Sequence, residues 1–267
     1  MGKEYGVINE VSTNDINLSS FGIKDQLHPK FWVIKDGRYQ LSSKVRLRLL
    51  DIADDFIEEL SMDWVKPKDI IFTGSLANFN WSRYSDVDIH ILYDYKKIYK
   101  KSEFVDDYFK AKKEVWLRNH KTLKIYGFKV EISVEDANKK SPSSGRYSLE
   151  TNQWLSEPND FQNSELNEPY IKKFAAKIMS EIDSIEKKID NETDIHKIEI
   201  LGNKIENIYD RLKHIRKEGL NSKRKEMSSG NIIYKVIRRT KYLDKIWQIA
   251  NKAYDEINTL KEDKKSY

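Results

Sequence analysis

The chain has 267 residues, 48 Lys and Arg against 43 Asp and Glu, a net charge of +5 and no cysteine. That length suits two domains of roughly 100–150 residues, and 39% hydrophobic with 12% aromatic residues excludes wholesale disorder despite 34% charge. Without cysteine, a disulfide framework, a thiolate zinc site and cysteine catalysis are excluded. No apolar run approaches a membrane span and residues 1–5 carry no signal-peptide core, so a soluble, cytoplasmic protein is expected.

The first half reads as mixed α and β. Residues 41–60 repeat Val45, Leu49, Ile52, Phe56 and Leu60 at helical spacing, with Ser42 or Ser43 as N-cap. Lys66-Pro67-Lys68 breaks the pattern, and residues 69–73 are a short apolar run suited to a buried strand. A short helix or turn follows Gly74-Ser75, and residues 86–93 alternate as a second strand. Residues 102–118 suit a helix with Phe104, Tyr108, Ala111 and Val115 on one stripe. Residues 123–134 read as two strands meeting near Gly127, and residues 146–155 as a further hairpin.

Beyond Pro158 and Pro169 the pattern turns helical. One long amphipathic helix runs from Ile171 to Ile189 and a second from Ile195 to Ile215, with Thr193 or Asp194 as N-cap. Residues 219–230 read as a polar loop, and residues 242–260 as a last helix with Leu243, Ile246, Trp247, Ala250, Tyr254 and Ile257 inward. The expected architecture is α+β: a small mixed sheet flanked by helices over residues 1–164, then an all-helical domain over 165–267. The Ile-rich helical pair permits a homodimer through that second domain.

The positive charge is concentrated. Residues 1–164 balance 25 basic against 25 acidic side chains, whereas residues 213–245 hold 11 basic and 3 acidic, a net of +8. Arg216, Lys217, Arg238 and Arg239 are the members of that window most suited to hold phosphates, from a nucleotide or from RNA or DNA. A solvated, lysine-rich surface is the plainer reading.

The chemistry concentrates in residues 71–90. Gly74 lets the backbone approach a bulky ligand, and the turn after it offers backbone N–H groups and the Ser75 hydroxyl to a phosphate. Asp86 and Asp88, spaced i and i+2 at a strand, face the same way. Two carboxylates so close repel unless a cation lies between them, and oxygen donors suit Mg²⁺ or Mn²⁺. Glu131 on the later strand completes an acidic triad, with Glu135 of the same parity as its alternative. Arg83 and Trp81 lie on the intervening loop, where phosphate contact and base stacking compete with simple packing. His90 shares the aspartates' parity and reads as a structural histidine.

Gly-Ser, ten intervening residues, Asp-x-Asp on an apolar strand and a later acidic residue resemble the polymerase-β-type nucleotidyltransferase superfamily. The resemblance covers residues 69–134 and includes Ser85 immediately before Asp86. It implies Gly74 and Ser75, with Ser85 and Arg83 nearby, against the phosphates of an NTP such as ATP, and Asp86, Asp88 and Glu131 as catalytic metal ligands. The implied reaction passes a nucleoside monophosphate to an acceptor hydroxyl, with two divalent ions and no protein nucleophile. RNA of the transfer-RNA kind is the first acceptor expected; a partner protein of the toxin–antitoxin type, a nucleotide second messenger and a non-catalytic nucleic-acid adaptor are the alternatives. Residues 216–220 and 236–239 are also similar to nucleotidyltransferase-like proteins encoded by bacteriophages, which implies the cytoplasm of a bacterial or phage-infected cell.

Overall fold

Alternating apolar residues in two short segments build the centre of a six-stranded sheet, and the rest of the first half packs against it. A computed structural model describes residues 12–141, 143–159 and 165–259; the leader reading at residues 1–5 and the helix end expected at Leu260 lie outside them. The chain divides into two units, Ser19–Ser164 and a second that joins Met1–Leu18 to Glu165–Tyr267. Residues 12–18, read from the sequence with the sheet, group with the helices.

In the sheet unit, β1 (Trp32–Lys35) and β2 (Arg38–Leu41) form a hairpin across Asp36-Gly37, both at positive φ. Then come α1 (Ser43–Leu60), β3 (Asp69–Thr73), β4 (Val87–Tyr93), α2 (Tyr95–Ile98), α3 (Ser102–Asn119), β5 (Lys124–Ile125), β6 (Phe128–Asp136), β7 (Arg146–Ser148) and β8 (Gln153–Ser156). The strand order is β5-β6-β4-β3-β7-β8, with β4 and β6 parallel and every other neighbouring pair antiparallel. Val87, Ile89 and Ile91 of β4, with Ile70, Phe72, Val130 and Ile132, form one fully or nearly fully buried face under α1 and α3. The opposite parity carries Thr73, Asp88, His90, Glu131, Ser133 and Glu135, so the sheet separates its core from its chemistry.

The stripe expected on α3 is displaced by one position. Val105, Phe109 and Trp116 are buried, whereas Phe104 and Val115 are exposed. Phe109 stacks on Tyr93 at 5.9 Å and Trp116 meets Phe56 edge-on at 5.4 Å. These ring contacts across the core set the helix rotation.

The second unit holds α4 (Glu168–Asp190), α5 (Ile195–Asn221), α6 (Ser229–Arg239) and α7 (Tyr242–Asn258). Ile182, Ile205, Leu212, Ile233, Ile237 and Ile246 lie at its centre, and Lys245 joins α7 to Asp183 and Glu186 of α4 at 2.7 Å each. The loop expected from Gly219 to Gly230 is shorter and spans residues 222–228, because α5 continues to Asn221 and α6 starts at Ser229. Its glycines serve packing instead. A Cβ on Gly219 would collide with Ser228 Oγ, and one on Gly230 with the Ile215 carbonyl. On α7 the inward residues are Leu243, Ile246, Ile249 and Ala253, while Trp247 and Tyr254, expected inside, are exposed. The small Ala253 is needed there because it packs onto Gly202 of α5. No helix among the described residues is long and apolar enough to cross a membrane.

The rotation of α3 gives a direct test. Phe109→Ala should lower the unfolding free energy by about 3–5 kcal/mol, and Phe104→Ala by no more than about 0.5 kcal/mol, in urea titrations followed by circular dichroism.

Candidate active site

β3 ends where its last residue, Thr73, pairs with Asp88 of β4. The chain leaves the sheet at Gly74, with φ 78°, and makes a single 3₁₀ turn over Ser75–Ala77. A Cβ at position 74 would overlap the Asp88 carboxylate, so the carboxylate occupies the volume that any other residue would fill. Glycine is required here twice, by the backbone angle and by this contact. The turn is too short to supply a helix dipole; what it offers a phosphate is local N–H groups.

The mouth of the loop is closed by serines. Ser75 Oγ donates to Ser85 Oγ at 2.7 Å, and Ser85 Oγ accepts the Ser82 N–H at 2.9 Å. Ser85 is buried and acts within the loop, tying its two ends together. Arg83 is exposed, stacks over Tyr84 at 4.8 Å and donates to the Tyr84 hydroxyl at 2.7 Å. Trp81 is engaged elsewhere: its Nε1 donates to Gln26 O at 2.9 Å and its ring lies 4.5 Å from His28.

Asp88 and Glu131 are register partners on the parallel strands β4 and β6, and Asp86 precedes β4 by one residue. Asp88 keeps some surface at the mouth of the site yet lies deep among protein atoms. Burial pushes its carboxyl up to about 7; His90 and Lys113 pull it down, and the neighbouring Glu131 and Asp86 add to the rise. Glu135 is paired instead with His90, whose Nδ1 lies 2.8 Å from Oε1. Burial would raise the Glu135 carboxyl, but the hydrogen bond and charge of His90, with Arg146 and Lys113 beyond, hold it below the usual range. His90 is thus a partner to Glu135, in line with its structural reading.

The resemblance implies a divalent cation. All three candidate donors are carboxylates, and Asp88 is crowded by two like charges, so the donor chemistry fits Mg²⁺ or Mn²⁺. Among the described residues, no three His, Asp or Glu side chains converge at metal-binding geometry. The fit is therefore one of donor type and strand placement.

In the helical unit, three of the four basic residues singled out gather around a fourth cation that the sequence reading omitted. The field of Arg238, Arg239 and Arg216 acts on Lys235, and burial first, then these guanidinium groups, push its amine down to about 8 against the opposing pull of Glu226. Arg216 stacks over Tyr234 at 4.5 Å. Lys217, one position beyond Arg216, is exposed and takes no part in this group. Lys235, Arg238 and Arg239 stand at i, i+3 and i+4 on α6, a spacing legible in the sequence once residues 229–239 are recognised as a helix. On the sheet, Arg146 of β7 was likewise missed; its signal was the parity it shares with Ser148 opposite Ile71.

Residues 53–157 match the family model described as a nucleotidyltransferase domain. The match takes in Gly74, Ser75, Arg83, Ser85, Asp86, Asp88 and Glu131 and bears out the resemblance read from those motifs. No curated protein matches the chain. Among solved structures, a STING-associated CdnE c-di-GMP synthase from Capnocytophaga granulosa matches at 13% identity over 82% of each chain, with a TM-score of 0.22. A score that low does not establish a common architecture.

Two outcomes follow from the Gly74–Asp88 contact. Gly74→Ala should cost about 1–3 kcal/mol of stability, read by thermal unfolding, because the new methyl must displace the carboxylate from a left-handed turn. Asp88 binds a proton more tightly folded than unfolded, so its stabilising contribution is complete below about pH 4 and is lost as pH rises through about 7. In EDTA, Asp88→Asn should therefore exceed the parent in stability at pH 8 by on the order of 1–2 kcal/mol, with the difference shrinking toward pH 4.

Proposed function

With a nucleotidyltransferase domain at residues 53–157, we propose that the chain transfers a nucleoside monophosphate from an NTP to an acceptor hydroxyl and releases pyrophosphate. One observation supports this above the others: the Asp88 carboxylate packs over Gly74 while Glu131 lies in register with it on the adjoining strand. Backbone without a side chain thus adjoins crowded carboxylates.

In this reading Gly74 and Ser75 receive the donor's phosphates, and Ser85 and Arg83 support the loop that carries them. The acceptor oxygen attacks the α-phosphorus in line; the new O–P bond forms as the bond to the bridging oxygen of the β-phosphate breaks. The chain contributes position and charge rather than a nucleophile. Asp86, Asp88 and Glu131 would hold Mg²⁺ or Mn²⁺, which supplies the positive charge that favours both the attacking and the leaving oxygen. Glu131 is preferred to Glu135 as third carboxylate because Glu135 is already paired with His90.

RNA is the acceptor proposed, with residues 19–164 as the catalytic domain and the helical unit as its RNA-binding part. The support is the cationic group of Arg216, Lys235, Arg238 and Arg239, with Glu226 acting against it at Lys235.

Asp86→Ala with Asp88→Ala should reduce transfer by at least about 10²–10³-fold while the protein stays folded. The assay incubates each labelled NTP and Mg²⁺ with total RNA, with protein lysate or with nucleotides alone. Label in RNA supports the proposal; label only in protein or in a dinucleotide moves the acceptor to that class, and full activity of the double variant refutes the site. Arg238→Ala should weaken RNA binding evenly across sequences and reduce the salt dependence of log K by about 1.

A further inference from the structure

Asn78 is fully buried beneath the Gly74 turn. Its Nδ2 donates to Gly74 O at 2.8 Å, and its Oδ1 accepts from Ser144 Oγ at 2.8 Å and from Gly145 N at 3.1 Å. The amide orientation is unambiguous, since a carbonyl only accepts and a backbone N–H only donates. The main-chain N–H of Asn78 donates to Ser75 O at 3.1 Å, which closes the turn a second time.

The segment on the far side of this amide is packed as closely. A Cβ on Gly145 would collide with the Ala77 carbonyl, and Thr73 Oγ1 lies 2.7 Å from both Ser143 Oγ and Gly145 O. Residues 143–145 thus form a strap under residues 73–78, with Asn78 as the link between them. The consequence for the turn is directional. Gly74 O is held inward by Asn78 Nδ2 and by Ala77 N–H at 3.2 Å. In a trans peptide the next N–H points the opposite way, so Ser75 N–H is turned away from the strap, and it has no hydrogen-bond partner among the described residues.

We propose that Asn78 is the positioning residue of the nucleotide-binding turn: by holding the Gly74 carbonyl against the 143–145 strap, it aims the Ser75 N–H at the phosphates of the donor. This role rests on the nucleotidyltransferase reading and adds to it a residue that touches neither nucleotide nor metal. An amide is required, because only an amide both donates to Gly74 O and accepts from Gly145 N in one plane.

The experiment measures equilibrium binding of each NTP with Mg²⁺, alongside thermal unfolding and Mn²⁺ binding without nucleotide, for the full chain and three variants. Asn78→Asp keeps the acceptor facing Ser144 and Gly145 and puts a carboxylate oxygen in place of the donor to Gly74; it should raise the Kd for NTP about tenfold. Asn78→Ala should do the same, and it keeps the test open if the acidic variant does not fold. Ser144→Ala loosens the strap but leaves the Gly74 bond, and should change Kd by less than about twofold. Mn²⁺ affinity should stay within about twofold in all three. A loss of thermal stability with NTP affinity unchanged would mean a purely structural role and would overturn the proposal, as would equal effects of Asn78→Asp and Ser144→Ala. A parent chain that neither binds NTP nor transfers it removes the nucleotidyltransferase reading, and this role with it. A parent that does both, beside an unaffected Asn78→Asp, removes the positioning role alone.

Discussion

Residue 74 has no side chain, and the Asp88 carboxylate stands where one would be. The proposed site hangs on that contact. Thr73 and Asp88 form the last pair of the β3–β4 ladder, so the chain must leave the sheet directly beside the carboxylate. A positive φ at Gly74 makes the exit sharp enough for backbone and carboxylate to share the space. The proposed phosphate turn and the proposed metal ligand are consequently one structural feature. Any side chain added at residue 74 must displace the carboxylate.

Buried groups hold the proposed phosphate turn from behind on two sides. Trp32 Nε1 donates to Leu76 O at 2.7 Å, Lys24 N to Phe79 O at 2.7 Å, and Trp81 Nε1 to Gln26 O at 2.9 Å, so the N-terminal segment of the sheet unit grips residues 76–81. Trp32 is itself fixed by stacking on Trp154 at 4.5 Å and on Phe72 at 5.7 Å. The 143–145 strap grips the other side through Asn78 and Thr73. Loops held in this way lose little further freedom when a ligand arrives, which favours binding and precise orientation alike.

What could be read from the sequence follows from how local each signal is. Strands at residues 69–73 and 87–93 were legible because alternation and β-branching act within a few residues, and the Gly-Ser and Asp-x-Asp spacing survives without any knowledge of packing. The rotation of α3 was not legible: Phe104, Val105, Tyr108 and Phe109 offer two overlapping stripes, and the choice is made by Tyr93 and Phe56 across the core. Gly219 and Gly230 looked like loop residues because a glycine's local preference hides its use as a place of close helix contact. The β1–β2 hairpin did have a local signal, Asp36-Gly37 between apolar residues, that went unused. Asn78 had none for its link to the strap, since Ser144 and Gly145 lie 66 and 67 residues away.

The choice between Glu131 and Glu135 marks where sequence parity stops and register begins. Both point to the same face of β6, so alternation cannot separate them. The parallel pairing with β4 can, because it sets Glu131 opposite Asp88 and Glu135 opposite Leu92. Neighbouring strands lie about 4.8 Å apart, whereas four residues along a strand span about 13 Å, so one carboxylate adjoins Asp88 and the other is far along the sheet. His90 then completes the distinction by pairing with Glu135 at 2.8 Å. Glu131 makes no ion pair among the described residues. The acid beside Asp88 is therefore the one without a basic partner, and its charge helps hold the Asp88 proton. A divalent cation between them would relieve the same repulsion that the proton relieves, so proton and metal should compete for this edge of the sheet.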